Sequence, residues 1–259
     1  MTSKNDWNPI KHAIIAGGGK FGLNIAWFFL KRGYKILIVD PRENPVVASI
    51  ISTQVTLEHL LDGVGFINND AIHVIAAVED IFPRVFDLGL HFEWLAPAAP
   101  VNVMAKITMN MLQDSWDIRV DNSNLRQIAS CIEKRDEYWT GVFPETGLLV
   151  MSKAFPGEQC PSTCMGQQST CAHDRPIATE LLHSRVIGCI ERLLPKAASV
   201  ILESRQLGPG IGAIKWKDLV CSWNLLKRLN QAPLAEIKLI AGSSCNCHGV
   251  ITAFTVSQT

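Results

Sequence analysis

Short continuous apolar runs alternate with segments of helical spacing through the first part of the chain. The apolar runs at residues 13–16 and 71–78 are typical of strands that are buried on both faces of a parallel sheet. The spacing after the first run predicts a helix that ends at residues 32–33, and the spacing at residues 101–112 predicts another. This alternation predicts an α/β fold with a Rossmann-like, doubly wound parallel sheet over residues 1–116.

The second half predicts a smaller, cysteine-rich α+β domain over residues 117–259. Residues 114–124 are polar and predict a linker between the two domains. A second glycine-rich stretch at residues 208–212 contains Pro209, and no acid closes a following strand, so it predicts a structural turn. The predicted helices of this half lie at residues 125–138, 177–194 and 217–229, and the strands at residues 147–154, 198–203, 236–241 and 250–256.

A glycine-rich turn follows the first apolar run, with Gly17, Gly19 and Gly22 spaced as G-x-G-x-x-G. In this fingerprint the first glycine permits a tight turn, the second lets the backbone approach a pyrophosphate, and the third lets the helix pack close to the strand. The N–H groups at the start of the helix then face the phosphates. Asp40 ends the next predicted strand, about where a carboxylate binds the ribose hydroxyls. The pattern predicts a bound dinucleotide, and the alternative is a Rossmann-type unit that has lost its ligand.

The residues around the turn leave the identity of the dinucleotide open. Asp40 favours an unphosphorylated ribose, as in NAD or ATP, whereas Arg42 could reach the 2′-phosphate of NADP. Lys20 either approaches a phosphate or is simply solvated. The residues predicted to bind NAD or NADP are Gly17, Gly18, Gly19, Lys20, Phe21, Gly22, Asp40, Arg42 and Ala77.

The first half of the chain resembles two known families. The segment GGGKFGLNIAWFFLKRGYKILIVD, followed by TLEHLLDGVGFINNDAIHVIAAVED, resembles the TrkA-N-type (RCK-like) NAD-binding domain of potassium-uptake regulators over residues 11–115. That resemblance implies a Rossmann fold and a nucleotide-sensing role. The same residues are similar to the NAD-binding domain of the precorrin-2 dehydrogenases that form siroheme, which carry a GGGK turn and an IAAT-D-D strand. Val78 stands where both families usually have Thr.

The similarity to precorrin-2 dehydrogenases implies that an acid after the strand, here Glu79 or Asp80, is a candidate catalytic group. The same acids have a structural interpretation, because acids after a strand commonly begin the next helix, where the helix dipole favours them. The catalytic residues therefore stay unassigned.

All eight cysteines lie in the second half of the chain. Cys160, Cys164 and Cys171 fall within residues 155–176, where prolines, glycines and polar residues leave little to form a core, and His173 and Asp174 follow them. Thiolates that converge on one ion would order such a loop. Cys245 and Cys247, followed by His248, lie between two strand-like runs. A hairpin tip there could face the loop and complete four thiolates for zinc or an iron–sulfur cluster.

The thiol-rich set and the Cys-x-Cys element favour iron–sulfur slightly over zinc. Reduced thiols without a metal and a redox disulfide are the alternatives. Cys131, Cys189 and Cys221 each fall within a predicted helix, and we expect them to be small core residues. We expect His183 to be a surface or core residue rather than a catalytic one.

Composition excludes several classes of function. The chain has 24 Lys and Arg against 24 Asp and Glu, and no basic tract, so nucleic acid is not an expected partner. The N-terminus has no apolar signal region, and no apolar segment reaches membrane-spanning length. We expect a cytoplasmic protein that binds a dinucleotide and a small-molecule or redox partner, with a homodimer left open.

Three functions fit these residues. The first is a redox protein, an NAD(P)-dependent oxidoreductase if it turns over, with a cysteine-ligated metal or iron–sulfur centre in its second domain. The second is a nucleotide-sensing regulatory protein of TrkA type with a structural zinc, although no C-terminal regulatory domain of the usual TrkA kind is visible. The third is a precorrin-2 dehydrogenase-like enzyme.

Overall fold

The structure, a computed structural model, describes residues 11–61, 70–133, 137–158, 160, 164, 166, 180–231 and 235–258. Within these residues lie twelve strands, seven α-helices and a short 3₁₀ helix at Val46–Ile50. The strands are β1 (Lys11–Ala16), β2 (Tyr34–Val39), β3 (Thr53–Thr56), β4 (Ala71–Ile75), β5 (Trp94–Pro97), β6 (Trp116–Val120), β7 (Trp139–Phe143), β8 (Leu148–Ser152), β9 (Ala198–Gly208), β10 (Ile211–Lys215), β11 (Glu236–Ser244) and β12 (His248–Gln258). The helices are α1 (Lys20–Leu30), α2 (Leu57–Leu61), α3 (Val78–Asp87), α4 (Val103–Leu112), α5 (Asn122–Glu133), α6 (Leu182–Leu193) and α7 (Trp216–Asn230).

All twelve strands belong to one mixed sheet, in the order β3-β4-β2-β1-β5-β10-β9-β11-β12-β8-β7, with β6 also paired to β12. The first five strands in this order are mutually parallel. Strand β10 runs antiparallel to both β5 and β9, while β11 runs parallel to β9. The carboxyl ends of β1, β2, β4, β5, β9 and β11 therefore lie at the same edge of the sheet.

The parallel strands are covered on both faces, as their continuous apolar runs predict. Successive residues of a strand point to opposite faces, so Ile14 and Ile15 enter different hydrophobic clusters. Ile15 packs in the cluster that includes Phe29 of α1. Ile14 packs in the cluster that includes Ile81 of α3 and Ile107 of α4. The chain is thus a mixed α/β protein in which helices cover both faces of the parallel strands.

The two halves of the chain share one of these clusters. Phe86 of α3 stacks on Trp216 and Trp223 of α7, with ring centroids 5.2 and 4.4 Å apart. The same cluster continues to Leu239 in β11 and Phe254 in β12. One sheet and one hydrophobic cluster include residues from both sides of residue 116. The division into two domains there stays a prediction.

Residues 114–124 do not form the predicted linker. Strand β6 lies there and pairs antiparallel with β12, from Trp116 opposite Gln258 to Val120 opposite Phe254. Trp116 is buried and donates its indole N–H to Asn230 at 2.9 Å. Asp117 and Arg119 form an ion pair with each other. Two of the polar residues that suggested a linker, Asp117 and Arg119, are thus alternate positions of a strand, and residues 122–124 begin α5.

The second glycine-rich stretch is the tip of a β-hairpin, not a connection from a strand to a helix. Strand β9 continues to Gly208 and β10 begins at Ile211. Gly210 has a φ of +66°, which glycine adopts readily.

Among the described residues, no helix is long and apolar enough to cross a membrane.

Two cysteines expected as simple core residues are joined to each other. Cys131 in α5 and Cys189 in α6 are buried, as expected, but form a disulfide with a Cα–Cα distance of 6.0 Å. The prediction for Cys221 was wrong, because this residue is exposed on α7. The buried stripe of α7 consists of Trp216, Leu219, Trp223 and Leu226, and position 221 lies outside it.

Candidate dinucleotide site and thiol cluster

The fold requires glycine at the first and third positions of the G-x-G-x-x-G turn, which joins β1 to α1. Gly17 has a φ of +112°, and a Cβ on it would lie 2.6 Å from the backbone nitrogen of Ala99. A Cβ on Gly22 would lie 2.0 Å from the carbonyl oxygen of Gly17. Both glycines therefore permit close backbone contacts that any side chain would break.

The two remaining glycines of the turn differ from each other. A Cβ on Gly18 would lie 2.8 Å from Pro45 Cβ and 3.0 Å from Val47 Cγ2, in the segment that follows β2. At Gly19, which has an ordinary φ of −77°, the nearest described atom beyond its chain neighbours would be Arg42 Nη2 at 4.0 Å. The packing of the described chain thus gives no reason for a glycine at position 19.

The space in front of Gly19 suits an anion. Gly19 is the N-cap of α1 and has no side chain that could accept the first N–H groups of the helix. No acid lies in the first turn of this helix, and Lys20 begins it. The side chain of Phe21 is 72% exposed beside it. Partial positive charge from the helix terminus and the Arg42 guanidinium therefore face the same open space.

Asp40 has all its usual acceptor positions occupied by the protein itself. Its Oδ2 accepts from the Gly18 N–H at 2.7 Å and from Arg42 Nη2 at 2.8 Å. Its Oδ1 accepts from the Arg42 backbone N–H at 3.0 Å and from Arg42 Nε at 2.8 Å. Burial raises the pKa of Asp40, but the hydrogen bonds from Arg42 and Gly18 outweigh this effect and lower the pKa to about 2. His73 Nε2 donates to the Asp40 carbonyl at 3.0 Å and fixes the backbone there.

Ala77, Glu79 and Asp80 lie at the same edge, where β4 leads into α3. Ala77 is the N-cap of α3, and both acids fall in its first turn. Glu79 accepts a hydrogen bond from Lys106 Nζ at 3.1 Å, and Asp80 is exposed. Both acids thus occupy the position that the helix dipole favours. Their catalytic role remains only an implication of the resemblance.

The turn between β11 and β12 is organised around the sulfur of Cys245. This Sγ accepts backbone N–H groups from Cys247 at 3.4 Å and from His248 at 3.2 Å, and the Cys245 N–H donates to the His248 carbonyl at 2.8 Å. Burial raises the pKa of the Cys245 thiol, and the backbone hydrogen bonds oppose this effect without cancelling it. A nearby cation would therefore be needed to ionise it at neutral pH.

Cys160, one of the described residues of the 155–176 segment, lies beside this turn. The imidazole of His248 lies between two sulfurs, with Nε2 at 3.9 Å from Cys160 Sγ and Nδ1 at 3.9 Å from Cys245 Sγ. The carbonyl of Cys164 accepts the Gly210 N–H at 3.3 Å, and its thiol acts electrostatically on Cys245. Cys247 lies in the turn and is buried. We call Cys160, Cys164, Cys245, Cys247 and His248 the thiol cluster.

The thiol cluster does not form a metal site in the part of the chain that the structure describes. No three Cys, His, Asp or Glu side chains there are grouped to hold one metal ion. One reason is that His248 faces Cys160 and Cys245 with different ring nitrogens, and these cannot bind the same ion. Cys171, His173 and Asp174 lie outside the described residues.

A polar contact beside the thiol cluster was not predicted. His183 of α6 and the Ser244 hydroxyl at the end of β11 are hydrogen-bonded, with Nδ1 at 2.9 Å from Oγ. Burial lowers the pKa of His183, while the nearby Glu203 carboxylate opposes this effect. Ser244 and Glu203 are register partners on β11 and β9. The sequence offered no signal for this contact, because α6 and β11 are brought together only by the fold.

The glycine turn and the thiol cluster lie at the same edge of the sheet but some distance apart. Four strand spacings separate β1 from β11 in the strand order. At about 4.8 Å per spacing, the separation is roughly 19 Å. One small substrate would not contact both sites.

Comparison with known proteins places the second half in a family. A family model named AF_1314_C, described as "Uncharacterized protein, C-terminal domain", matches residues 100–257. A protein of Archaeoglobus fulgidus, named "Uncharacterized protein", is 26% identical over 244 residues, which cover 93% of this chain and 97% of that protein. The similarity to this relative therefore extends over both halves of the chain.

Proposed function

The chain belongs to the AF_1314_C family, and we propose that it is an NAD(P)-binding redox protein with a thiolate-ligated metal or iron–sulfur centre in its second half. One observation carries the proposal. Glycine is present at position 19, where packing does not require it and where the N-terminus of α1 and Arg42 face open space. A bound diphosphate explains that glycine.

The strand order supports the same site. The segment β4-β2-β1-β5 has the order of one Rossmann half-sheet, in which the chain moves outward from β1 and then returns to its other side. Ligands of such sheets bind beyond the carboxyl ends of the strands, at the point where the order reverses. Here that point lies between β1 and β5, where Gly17 packs on Ala99.

Different residues of this site would bind different parts of the dinucleotide. The first N–H groups of α1 would donate to the diphosphate, and Lys20 would balance its charge. The nicotinamide supplies hydride transfer when bound. Asp40 fixes the turn by accepting the Gly18 N–H and orients Arg42.

The thiol cluster supports the second part of the proposal. Two backbone N–H groups point at Cys245 Sγ and would stabilise the thiolate of a metal-bound form, and Cys160 and Cys164 lie nearby. These residues are of the types that bind zinc or an iron–sulfur cluster. A second candidate function is a nucleotide sensor with a structural zinc, which the roughly 19 Å separation between the two sites favours.

Replacing Gly19 with Asp tests the dinucleotide site. Asp is a preferred N-cap residue, so α1 should keep its stability, while the carboxylate would occupy the phosphate position. We expect the affinity for NADH and NADPH, measured by calorimetry, to fall by more than about tenfold, with the melting temperature unchanged. The matched control is Gly188→Asp, because Gly188 is exposed and a Cβ there would meet no atom of a neighbouring element within 4 Å. If neither dinucleotide binds the wild-type protein, or if Gly19→Asp binds both as the wild type does, the proposed site is wrong.

Metal analysis tests the thiol cluster. Protein purified without oxygen should contain zinc, or iron with sulfide, and Cys245→Ser should lose at least about half of it, because a neutral hydroxyl replaces a thiolate ligand. The control is Cys221→Ser, which alters an exposed cysteine on α7 and should keep the full metal content. Wild-type protein that holds neither metal, with all its cluster thiols reactive, would contradict this part of the proposal.

A further inference from the structure

We infer that this site selects the 2′-phosphorylated dinucleotide, NADP(H), and that Arg42 makes the selection. The inference rests on the proposed function and names the ligand of the same site. It departs from the usual expectation that an acid after the second strand selects an unphosphorylated ribose.

The first step is that Asp40 is not available to ribose hydroxyls in this arrangement. Its two carboxylate oxygens together accept four hydrogen bonds, three of them from Arg42 and one from Gly18. An ionised carboxylate has about four acceptor positions. Arg42 Nη2, at 2.8 Å from Asp40 Oδ2, takes the place that a ribose hydroxyl would need. To bind NAD(H) through Asp40, the protein must first break the pair.

The second step is that the pair leaves a cationic surface toward the ligand. The Asp40 side chain is 5% exposed, whereas that of Arg42 is 57% exposed. A guanidinium has five N–H groups, and the two directed at Asp40 leave three directed elsewhere. A phosphate on the ribose would therefore meet N–H donors rather than a bare carboxylate, and guanidinium groups bind phosphate in a bidentate manner.

The third step is that backbone contacts hold Arg42 beside Asp40. The Arg42 N–H donates to Asp40 Oδ1, which holds residue 42 beside the carboxylate whatever its rotamer. The segment that follows is fixed on the turn, because Pro45 and Val47 pack against Gly18 and the Val47 N–H donates to the Gly18 carbonyl at 3.1 Å. The position of Arg42 is thus determined by the same contacts that form the glycine turn.

The test is the ratio of the dissociation constants for NADH and NADPH, measured by calorimetry on the full chain. We expect the wild type to bind NADPH at least about tenfold more tightly than NADH. Arg42→Ala should weaken NADPH binding by about tenfold or more and strengthen NADH binding, because Asp40 becomes available to the ribose. The control is Arg32→Ala, which removes an exposed arginine that packs on Phe28 near the other end of α1 and should leave the ratio unchanged.

The outcomes separate the inference from the function on which it rests. A wild type that prefers NADH, or an Arg42→Ala variant that loses affinity for both dinucleotides equally, would overturn the role of Arg42 and leave the dinucleotide site standing. A wild type that binds neither dinucleotide would overturn the proposed function itself. Arg42→Lys keeps the charge without the planar fork, and we expect it to retain only part of the preference for NADPH.

Discussion

Loss of the Cys131–Cys189 disulfide is expected to lower the free energy of unfolding by about 4 kcal/mol, because the bond closes a long loop. The two cysteines are 58 residues apart. In the chain-entropy description, a cross-link over that length removes about 4 kcal/mol of conformational freedom from the unfolded chain. The bond joins α5 to α6, whose buried residues share one hydrophobic cluster with β8 and β12.

The measurement is denaturant unfolding of the double variant Cys131→Ala/Cys189→Ala beside the wild type, without added reductant. Reductant alone is a poorer test, because it would also act on the thiol cluster. The matched control is Cys221→Ala, an exposed position where we expect a change within about 0.5 kcal/mol. Eight reactive thiols in the unfolded, unreduced wild-type chain would show that the disulfide does not form.

The sequence predicted the parallel strands and their helices well because their signals are local. An apolar run such as that of β4 and a glycine turn such as that before α1 depend only on neighbouring residues. Strand β6 was mistaken for a linker because only two of its five residues, Trp116 and Ile118, are large and apolar on the face toward the core. Its place in the sheet depends on β12, which lies more than a hundred residues away.

For the candidate sites too, the sequence shows patterns among neighbouring residues but not contacts between distant ones. The spacing of Gly17, Gly19 and Gly22 can be read from the sequence, but only the structure distinguishes the two glycines that packing requires from the one that it does not. Helical spacing indicated that Cys131 and Cys189 are buried, yet periodicity gives no information on which cysteine faces which. The saturation of Asp40 by Arg42 was equally hidden, because it also requires the backbone N–H groups of Gly18 and Arg42 to point at the carboxylate.

Gly22→Ala is expected to lower the free energy of unfolding by about 3 kcal/mol, whereas Gly19→Ser should change it by less than about 0.5 kcal/mol. The new Cβ at position 22 would lie 2.0 Å from the Gly17 carbonyl oxygen, so α1 must move away from β1. That movement would loosen the packing of Ile25 and Phe29 in the core. At position 19 the backbone is extended, a Cβ meets no atom closer than 4.0 Å, and Ser is a favoured N-cap residue.

The two variants together separate the glycine needed by the fold from the glycine assigned to the ligand. Denaturant unfolding should show a large loss for Gly22→Ala alone, and calorimetry should show weaker dinucleotide binding for Gly19→Ser despite its intact stability. Equal stability losses in the two variants would mean that position 19 is also fixed by packing. In that case its glycine would no longer point to a diphosphate, and the main observation behind the proposed function would be lost.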